Sequence, residues 1–248
     1  MSGSDTVPRL ELEAWRARFG VTAGITTRGA DGGYTLGLWS GSEPVDAAMR
    51  RWVEFRGAFA PGFAAVVLSR QVHGDRVRWQ GPGAAGLVLL DGYDGHATAE
   101  AGVLLAVSVA DCVPVYLVEP RSQTLAVLHA GWRGTAAGIL EAGMARMAER
   151  AGVSRSDIVM HCGVSICGSC YEVGSEVILN VTGRHVENPE PLDLRAELVR
   201  RANRQGVAEV TVSPHCAAHD PDRFHSHRAS GGRAGRMIAY IGRPASGA

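Results

Sequence analysis

Three stretches end apolar runs on side chains that can bind metal or move protons. "TLAVLHAGWRG" (124–134) delivers His129 into a glycine-bracketed turn with Trp132 and Arg133. "SVADCVPV" (108–115) sets Asp111 and Cys112 between two apolar runs, and "RQVHG" (70–74) closes a third run on His73. An imidazole or thiol at the mouth of a buried strand gives up packing that valine would supply, and it must be satisfied there. For any one of them alone, a packed and satisfied side chain is the better reading. Three at strand ends point instead to a shared ion.

Pairing makes the convergence feasible. If Val113–Glu119 and Thr124–His129 form a hairpin through "PRSQ", His129 falls opposite roughly Pro114, two residues from Cys112. Cross-strand Cβ atoms lie about 5 Å apart when opposite and about 7–8 Å apart on the diagonal, so thiolate and imidazole reach one centre. His73 arrives from a separate segment and is followed by Gly74, which permits a sharp turn. Two imidazoles and one thiolate suit zinc, whose catalytic sites keep three protein ligands and one open position.

Other chemistries compete for the same residue types. Cys162-x4-Cys167-x2-Cys170, with Cys216 beyond, imitates the plant-type two-iron, two-sulfur spacing and would make the chain an electron carrier. Cys112 as nucleophile with His129 as base would make a cysteine hydrolase. A zinc cytidine-deaminase site is excluded: "HVE" at His185–Glu187 has no following P-C-x-x-C.

Composition narrows the field further. All 25 basic residues are Arg, which removes Schiff-base lysines, P-loop lysines and pyridoxal phosphate together. They balance 25 acidic residues, so no charge excess points to nucleic acid or an anionic membrane as partner. Five cysteines, an odd number in 248 residues, argue against a disulfide scaffold. The longest apolar run, "AGVLLAVSVA", is too short to span a bilayer, and the N-terminus lacks a signal layout. A cytoplasmic protein is expected.

The elements that must position these residues follow from periodicity. "VTAGITT", "FAAVVLS", "GVLLAVSV", "VPVYLVE", "TLAVLH", "DIVMHCGV", "AEVTVS" and "RMIAYIG" read as strands, several apolar on both faces. Residues 134–151 read as a helix with Ile139, Leu140, Met144 and Met147 in one stripe, and "GSEVILNV" as a short helix or strand. Asp193 to Gln205 reads as a helix capped by Asp193 and closed by Gly206. No linker divides the chain, which predicts one domain over residues 8–243 with loose ends at Ser2–Val7 and Pro244–Ala248. Hairpin-like neighbours among the strands predict a mixed sheet within α/β layers.

In order, "RQVHG", "ADCVPV", "HAGWRG", "CYEVG", "DLRAELVRRANRQGV", "SPHC" and "SHRASGGRAGRM" closely resemble the YfiH-type family, long labelled multicopper polyphenol oxidase or laccase-domain proteins. The likeness runs from about Val21 to Gly242. It implies a metal triad at His73, Cys112 and His129, zinc as cofactor with copper as the alternative, and a three-layer α/β/α sandwich with a mixed sheet, shared with cytotoxic-necrotising-factor-like deamidases. It also implies a cytoplasmic enzyme that phosphorolyses adenosine, inosine, guanosine or methylthioadenosine and deaminates adenosine. Peptidoglycan-precursor editing and copper-dependent phenol oxidation are further activities attached to the family. Nine scattered histidines are too few for a true multicopper centre.

On that reading "GWRG" floors a pocket for a purine nucleoside and phosphate. The start of the 134–151 helix offers free N–H groups to phosphate, and Arg133 a bidentate contact. Trp132 either stacks on the purine or simply packs. Arg28 and Arg70 are further phosphate candidates or plain solvated guanidinium groups, and Asp111 either accepts a proton or orients its turn. The sequence departs from the family pattern at "VADC" with Val109, at "GVSICGSCYEVG" with cysteines at 167 and 170, at "LGLWSG" without asparagine, and at "FHSHR" with His225 and His227. These departures spare the proposed ligands and fall on the expected pocket walls.

Overall fold

The run Val103–Val109 turns Val103, Leu105, Val107 and Val109 to one face and Leu104 and Ala106 to the other, and both sets are buried. A strand apolar on both faces needs a covering layer on each side. In the computed structural model, which describes residues 7–39, 41 and 43–245, the chain begins β1 (Arg9–Glu11), α1 (Glu13–Phe19), β2 (Thr22–Thr26), α2 (Val45–Phe59), β3 (Ala65–Arg70), β4 (Val77–Trp79) and β5 (Gly86–Asp91). It continues β6 (Gly95–Thr98), β7 (Val103–Val109), β8 (Val113–Glu119), β9 (Thr124–Ala130), α3 (Trp132–Ala137), α4 (Ile139–Ala151) and β10 (Val159–Cys162). It ends β11 (Glu172–Val173), α5 (Ser175–Thr182), β12 (Glu190–Pro191), α6 (Leu194–Arg204), β13 (Glu209–Val212) and β14 (Met237–Arg243).

Two six-stranded mixed sheets result, ordered β1-β2-β14-β7-β3-β5 and β13-β10-β8-β9-β6-β4. Between them Ile25, Val67, Leu105 and Val107 meet Tyr116, Val118, Leu125 and Val127. Helix α2 covers the outer face of the first sheet, packing Trp52, Phe55 and Phe59 with Leu104, Ala106 and Tyr240. Helices α4, α5 and α6 cover the second, packing Leu140, Met144, Ile178 and Leu198 with Val115, Leu117 and Leu128. Each fully buried side chain of this size contributes on the order of 1.5–3 kcal/mol.

The α/β class and mixed strand directions are those expected from the sequence. The strands, however, divide between two sheets, so the layers run helix, sheet, sheet, helix rather than three deep. The chain alternates between the sheets, with β4 and β6 in the second and β3, β5 and β7 in the first, and after β7 it crosses again at Asp111, which holds φ at 84°. The β8–β9 hairpin has the expected register, with Pro114 opposite His129.

The single helix expected over 134–151 is two helices. Gly138, at φ 94°, ends α3 and starts α4 in a left-handed conformation that favours glycine. "GSEVILNV" resolves as a helix, and Asp193 caps α6 by accepting from the Arg195 and Ala196 amides at 2.9 and 3.1 Å. The amphipathic α2 was not read from the sequence, although Ala48, Trp52, Phe55 and Phe59 share its buried face. The expected loose ends lie mostly outside the described residues. Within them, Val7 is buried and the Ala245 amide bonds the Gly62 carbonyl at 2.9 Å.

Candidate metal centre

The site forms where the two sheets open. The end of β3 runs into the loop bearing His73, the β7–β8 crossover carries Asp111 and Cys112, and β9 ends on His129. One donor atom from each of His73, Cys112 and His129 lies within 4.8 Å of the others, and the two imidazoles meet edge to face with centroids 4.8 Å apart. His73 takes φ 61°, a left-handed turn uncommon for a residue with a Cβ.

Asp94 explains how that turn is held. Its buried carboxylate accepts the Val72, His73 and Gly74 amides at 3.1, 2.9 and 2.9 Å. The same carboxylate takes the His129 Nδ1 contact at 2.9 Å, which leaves Nε2 as the ring's remaining donor atom. A carboxylate behind a ligating imidazole fixes its tautomer and orientation. Burial pushes the Asp94 carboxyl up, but the His129 imidazole and the loop amides outweigh it and hold the group below its ordinary value.

The three ligand candidates influence one another. Burial raises the Cys112 thiol, yet the neighbouring His129 and His73 rings bring it down to about 6. Burial lowers His129, while the Cys112 sulfur and the Asp94 carboxylate lift it to about 9. Both shifts favour a thiolate beside an imidazolium, whose proton a bound cation would displace. The glycines of "HAGWRG" give this centre its room. A Cβ on Gly131 would fall 3.0 Å from Cys112 Sγ and 3.3 Å from His73 Cδ2, and one on Gly134 would fall 2.9 Å from the Gly74 carbonyl oxygen.

Two cavities, of 330 and 260 Å³, meet at His73, Ala110, Cys112 and His227. The first also reaches Ser69, Arg70, Gln71, Ser108, His129 and Arg236. The second is lined by Asp111, Trp132, Arg133, Tyr171 and Arg228 among others. Volumes of this size accommodate small organic ligands.

Residues 31–244 match the family described as multi-copper polyphenol oxidoreductase laccase. The chain belongs to that family of YfiH-type proteins. It is 34% identical over 256 residues to the purine nucleoside phosphorylase YlmD of Geobacillus stearothermophilus, covering 90% of each chain. It is 36% identical over 165 residues to adenosine deaminase RL5 of an unknown prokaryotic organism, covering 61% of this chain and 63% of that one. The crystal structure of the hypothetical protein YfiH from Bacillus licheniformis superposes with a TM-score of 0.86 at 27% identity, covering 96% and 97% of the two chains.

Within this YfiH-type chain the structure brings most of the expected site residues together and leaves one away. Arg70 lines the first cavity but is exposed and clamped on Asp91, with Nε and Nη2 at 2.6 and 3.0 Å from its carboxylate. Arg133 lines the second cavity and covers one face of Trp132, its guanidinium carbon 4.3 Å from the ring centroid. Trp132 is partly packed on the core beneath α4, so both of its sequence readings have a structural counterpart. Asp111 is buried, with Oδ2 accepting the Arg228 amide at 2.6 Å and Oδ1 left without a hydrogen-bond partner. Arg28 is not brought to the centre. Its guanidinium donates to the carbonyls of Gly32 and Pro221 and borders a separate cavity with Phe224 and His225.

Asp94, Tyr171, Arg228 and Arg236 were not singled out as site residues from the sequence, whereas His227, expected on a pocket wall, lines both cavities. Asp94 lies in "DGYDGH", where nothing separates it from Asp91, since each simply precedes a glycine. Arg236 lies near enough to Cys112 and Asp111 that their negative charge offsets part of the lowering that burial imposes on it. The iron–sulfur spacing is not formed either. Cys162 is buried in β10 among the residues beneath the helices, whereas Cys167, Cys170 and Cys216 gather around His219. No helix among the described residues is long and apolar enough to cross a membrane.

Proposed function

We propose that this chain is a zinc-dependent purine nucleoside enzyme, cleaving adenosine, inosine, guanosine or methylthioadenosine with phosphate and deaminating adenosine. The reading places it in the cytoplasm as one catalytic domain over residues 8–243. The observation that carries it is the convergence of His73, Cys112 and His129, backed by Asp94, where two cavities lined by arginine and aromatic side chains meet. Relatives named purine nucleoside phosphorylase and adenosine deaminase support the substrate class.

The donor set fits zinc: one soft sulfur and two imidazoles, one of them oriented by a carboxylate, with space beside Gly131. His73, Cys112 and His129 would hold the ion, which supplies Lewis-acid polarisation at its open position when bound. The protein's own groups divide the remaining work. Arg236 and Arg228, with Arg133 at the rim, present cations to phosphate, and a guanidinium can grip it with two parallel hydrogen bonds. They replace the helix N-terminus in that role, because α3 is six residues long and offers few aligned peptides. Tyr171 and the free face of Trp132 offer stacking surfaces to a purine. Asp111, beside the second cavity, has one buried carboxylate oxygen without a hydrogen-bond partner, and it is the group assigned to take or return a proton once bound substrate reaches it.

The Cys112–His129 pair by itself also fits a cysteine nucleophile with its base, in a peptidoglycan-precursor hydrolase for example, and metal content separates that reading from this one. The test is a panel of nucleosides with and without phosphate, on protein of known metal content, resolved by chromatography. Phosphate-dependent release of hypoxanthine from inosine, or of adenine from adenosine, is expected. Activity of metal-free protein would remove the zinc role. Turnover of phenolic dyes alone, and only with added copper, would replace this reading with the oxidase.

A further inference from the structure

A second group of metal-type ligands stands apart from the first. Cys167 precedes, and Cys170 ends, a single 3-10 turn at Gly168–Cys170, closed by the Cys170 amide on the Cys167 carbonyl at 3.1 Å. Cys216 is brought alongside by chain pairing. Ser165 and Cys216 form an isolated parallel bridge, and the Ala217 amide donates to the Ser165 carbonyl at 3.0 Å. His219 follows with the same x2 spacing that separates Cys167 from Cys170.

One donor atom from each of the four lies within 4.8 Å of the others. His219 Nε2 is 3.2 Å from Cys170 Sγ, and its Nδ1 is 3.7 Å from Cys167 Sγ. Ligand atoms around a tetrahedral zinc, at bond lengths of about 2.0–2.3 Å, lie about 3.6–3.8 Å from one another. The cluster is therefore already near the size of one ion. A two-iron cluster would hold its four ligands further apart. The Cys167 amide also donates to Cys216 Sγ at 3.3 Å, the kind of outer hydrogen bond that supports a metal-bound thiolate.

We propose that Cys167, Cys170, Cys216 and His219 form a second, closed zinc site that staples together the two loops walling the substrate cavities. Three thiolates and one imidazole complete a four-coordinate shell with no open position, which is the pattern of a structural site. The first loop continues from Cys170 directly into Tyr171, and the second runs from His219 to His227 and Arg228; Tyr171, His227 and Arg228 line the second cavity. Arg228 Nη1 already ties the two loops at one point, donating to the Glu172 carbonyl at 2.8 Å. The ion adds a further tie across a sequence separation of 49 residues, beside the isolated Ser165–Cys216 bridge, and so fixes loops outside the regular strands. Its role is positional. It stands whether or not the His73–Cys112–His129 reading is correct.

Zinc per chain, measured by elemental analysis of protein purified under reducing conditions, tests this directly. His219 is exposed, so His219→Ala leaves the core intact. The zinc count should fall by one equivalent in His219→Ala and in Cys170→Ser, and return in His219→Cys, which restores four donors. Cobalt-loaded wild type should show intense thiolate-to-metal absorption that weakens in Cys170→Ser. A total of one equivalent falling to zero would keep this site and remove the ion from the triad. The proposal is overturned if the count is the same in wild type and both loss variants, or if the wild type takes up no zinc at all. It also fails if the bound metal is iron with visible absorbance, or if mass spectrometry finds two of these cysteines joined as a disulfide.

Discussion

Replacing Asp94 with asparagine removes one oxygen and the negative charge from the centre of the metal-site scaffold. The wild-type carboxylate serves four donors. Oδ1 takes the His73 amide and His129 Nδ1, and Oδ2 takes the Val72 and Gly74 amides. An asparagine side chain has one acceptor oxygen and one NH2 group, so either orientation sets that NH2 against donors. If it faces Oδ2's partners, the Val72 and Gly74 amides lose their acceptor. If it faces Oδ1's partners, His129 must present a bare Nδ1, and its proton moves to Nε2, the atom left to bind metal.

A buried N–H left without an acceptor costs about 1–3 kcal/mol, so Asp94→Asn should lower the stability of the metal-free protein by about that amount. Loss of the carboxylate behind a ligating histidine weakens metal affinity by about 10- to 100-fold, or roughly 1.4–2.7 kcal/mol. Zinc affinity is read by competition with a chromophoric chelator, and metal-free stability by urea unfolding. The pH dependence of metal binding should also change, because the proton on His129 is no longer held by a neighbouring charge. An Asp94→Asn protein with wild-type zinc affinity and wild-type metal-free stability would refute the reasoning, since the same four hydrogen bonds underlie both effects.

Further outcomes follow from the same geometry. Gly131→Ala places a Cβ 3.0 Å from Cys112 Sγ, so zinc affinity should drop and stability should fall by the roughly 1–3 kcal/mol typical of overpacking, as chelator competition and calorimetry will show. Arg236→Ala should raise the KM for phosphate by about 10-fold or more with a smaller effect on kcat, as expected for losing a charged hydrogen-bond donor; a phosphate titration at saturating inosine reads it. Glu197 is buried, and burial pushes its carboxyl up, but hydrogen bonds from Arg200 and Arg201 outweigh this and hold it below the ordinary range. Its stabilisation is present above the unfolded pKa of about 4.3 and is lost as pH falls through the lower folded value. Glu197→Gln should therefore destabilise at pH 7 by about 1–3 kcal/mol, with the gap to wild type closing in urea titrations at progressively lower pH.

What the sequence determined by itself is the part governed by short-range periodicity and covalent order. Continuous apolar runs marked β7, β8 and β9, the "PRSQ" turn set Pro114 opposite His129, and strand ends placed His73, Cys112 and His129 where one centre could collect them. Tertiary structure decided everything that depends on which surfaces meet. Asp94 is an ordinary loop aspartate until the β6 approach puts it behind both His129 and the His73 turn. Arg28 and Arg236 are equally plausible by composition, yet carbonyls of Gly32 and Pro221 hold one away while the end of β14 delivers the other to Cys112. His219 likewise joins three cysteines, displacing Cys162 from the expected set, because parallel pairing at Ser165 and Cys216 brings distant loops side by side. Periodicity reports which face of an element is apolar. It carries no information about which distant polar group will stand opposite, and that pairing is what sets the protonation and orientation on which the chemistry depends.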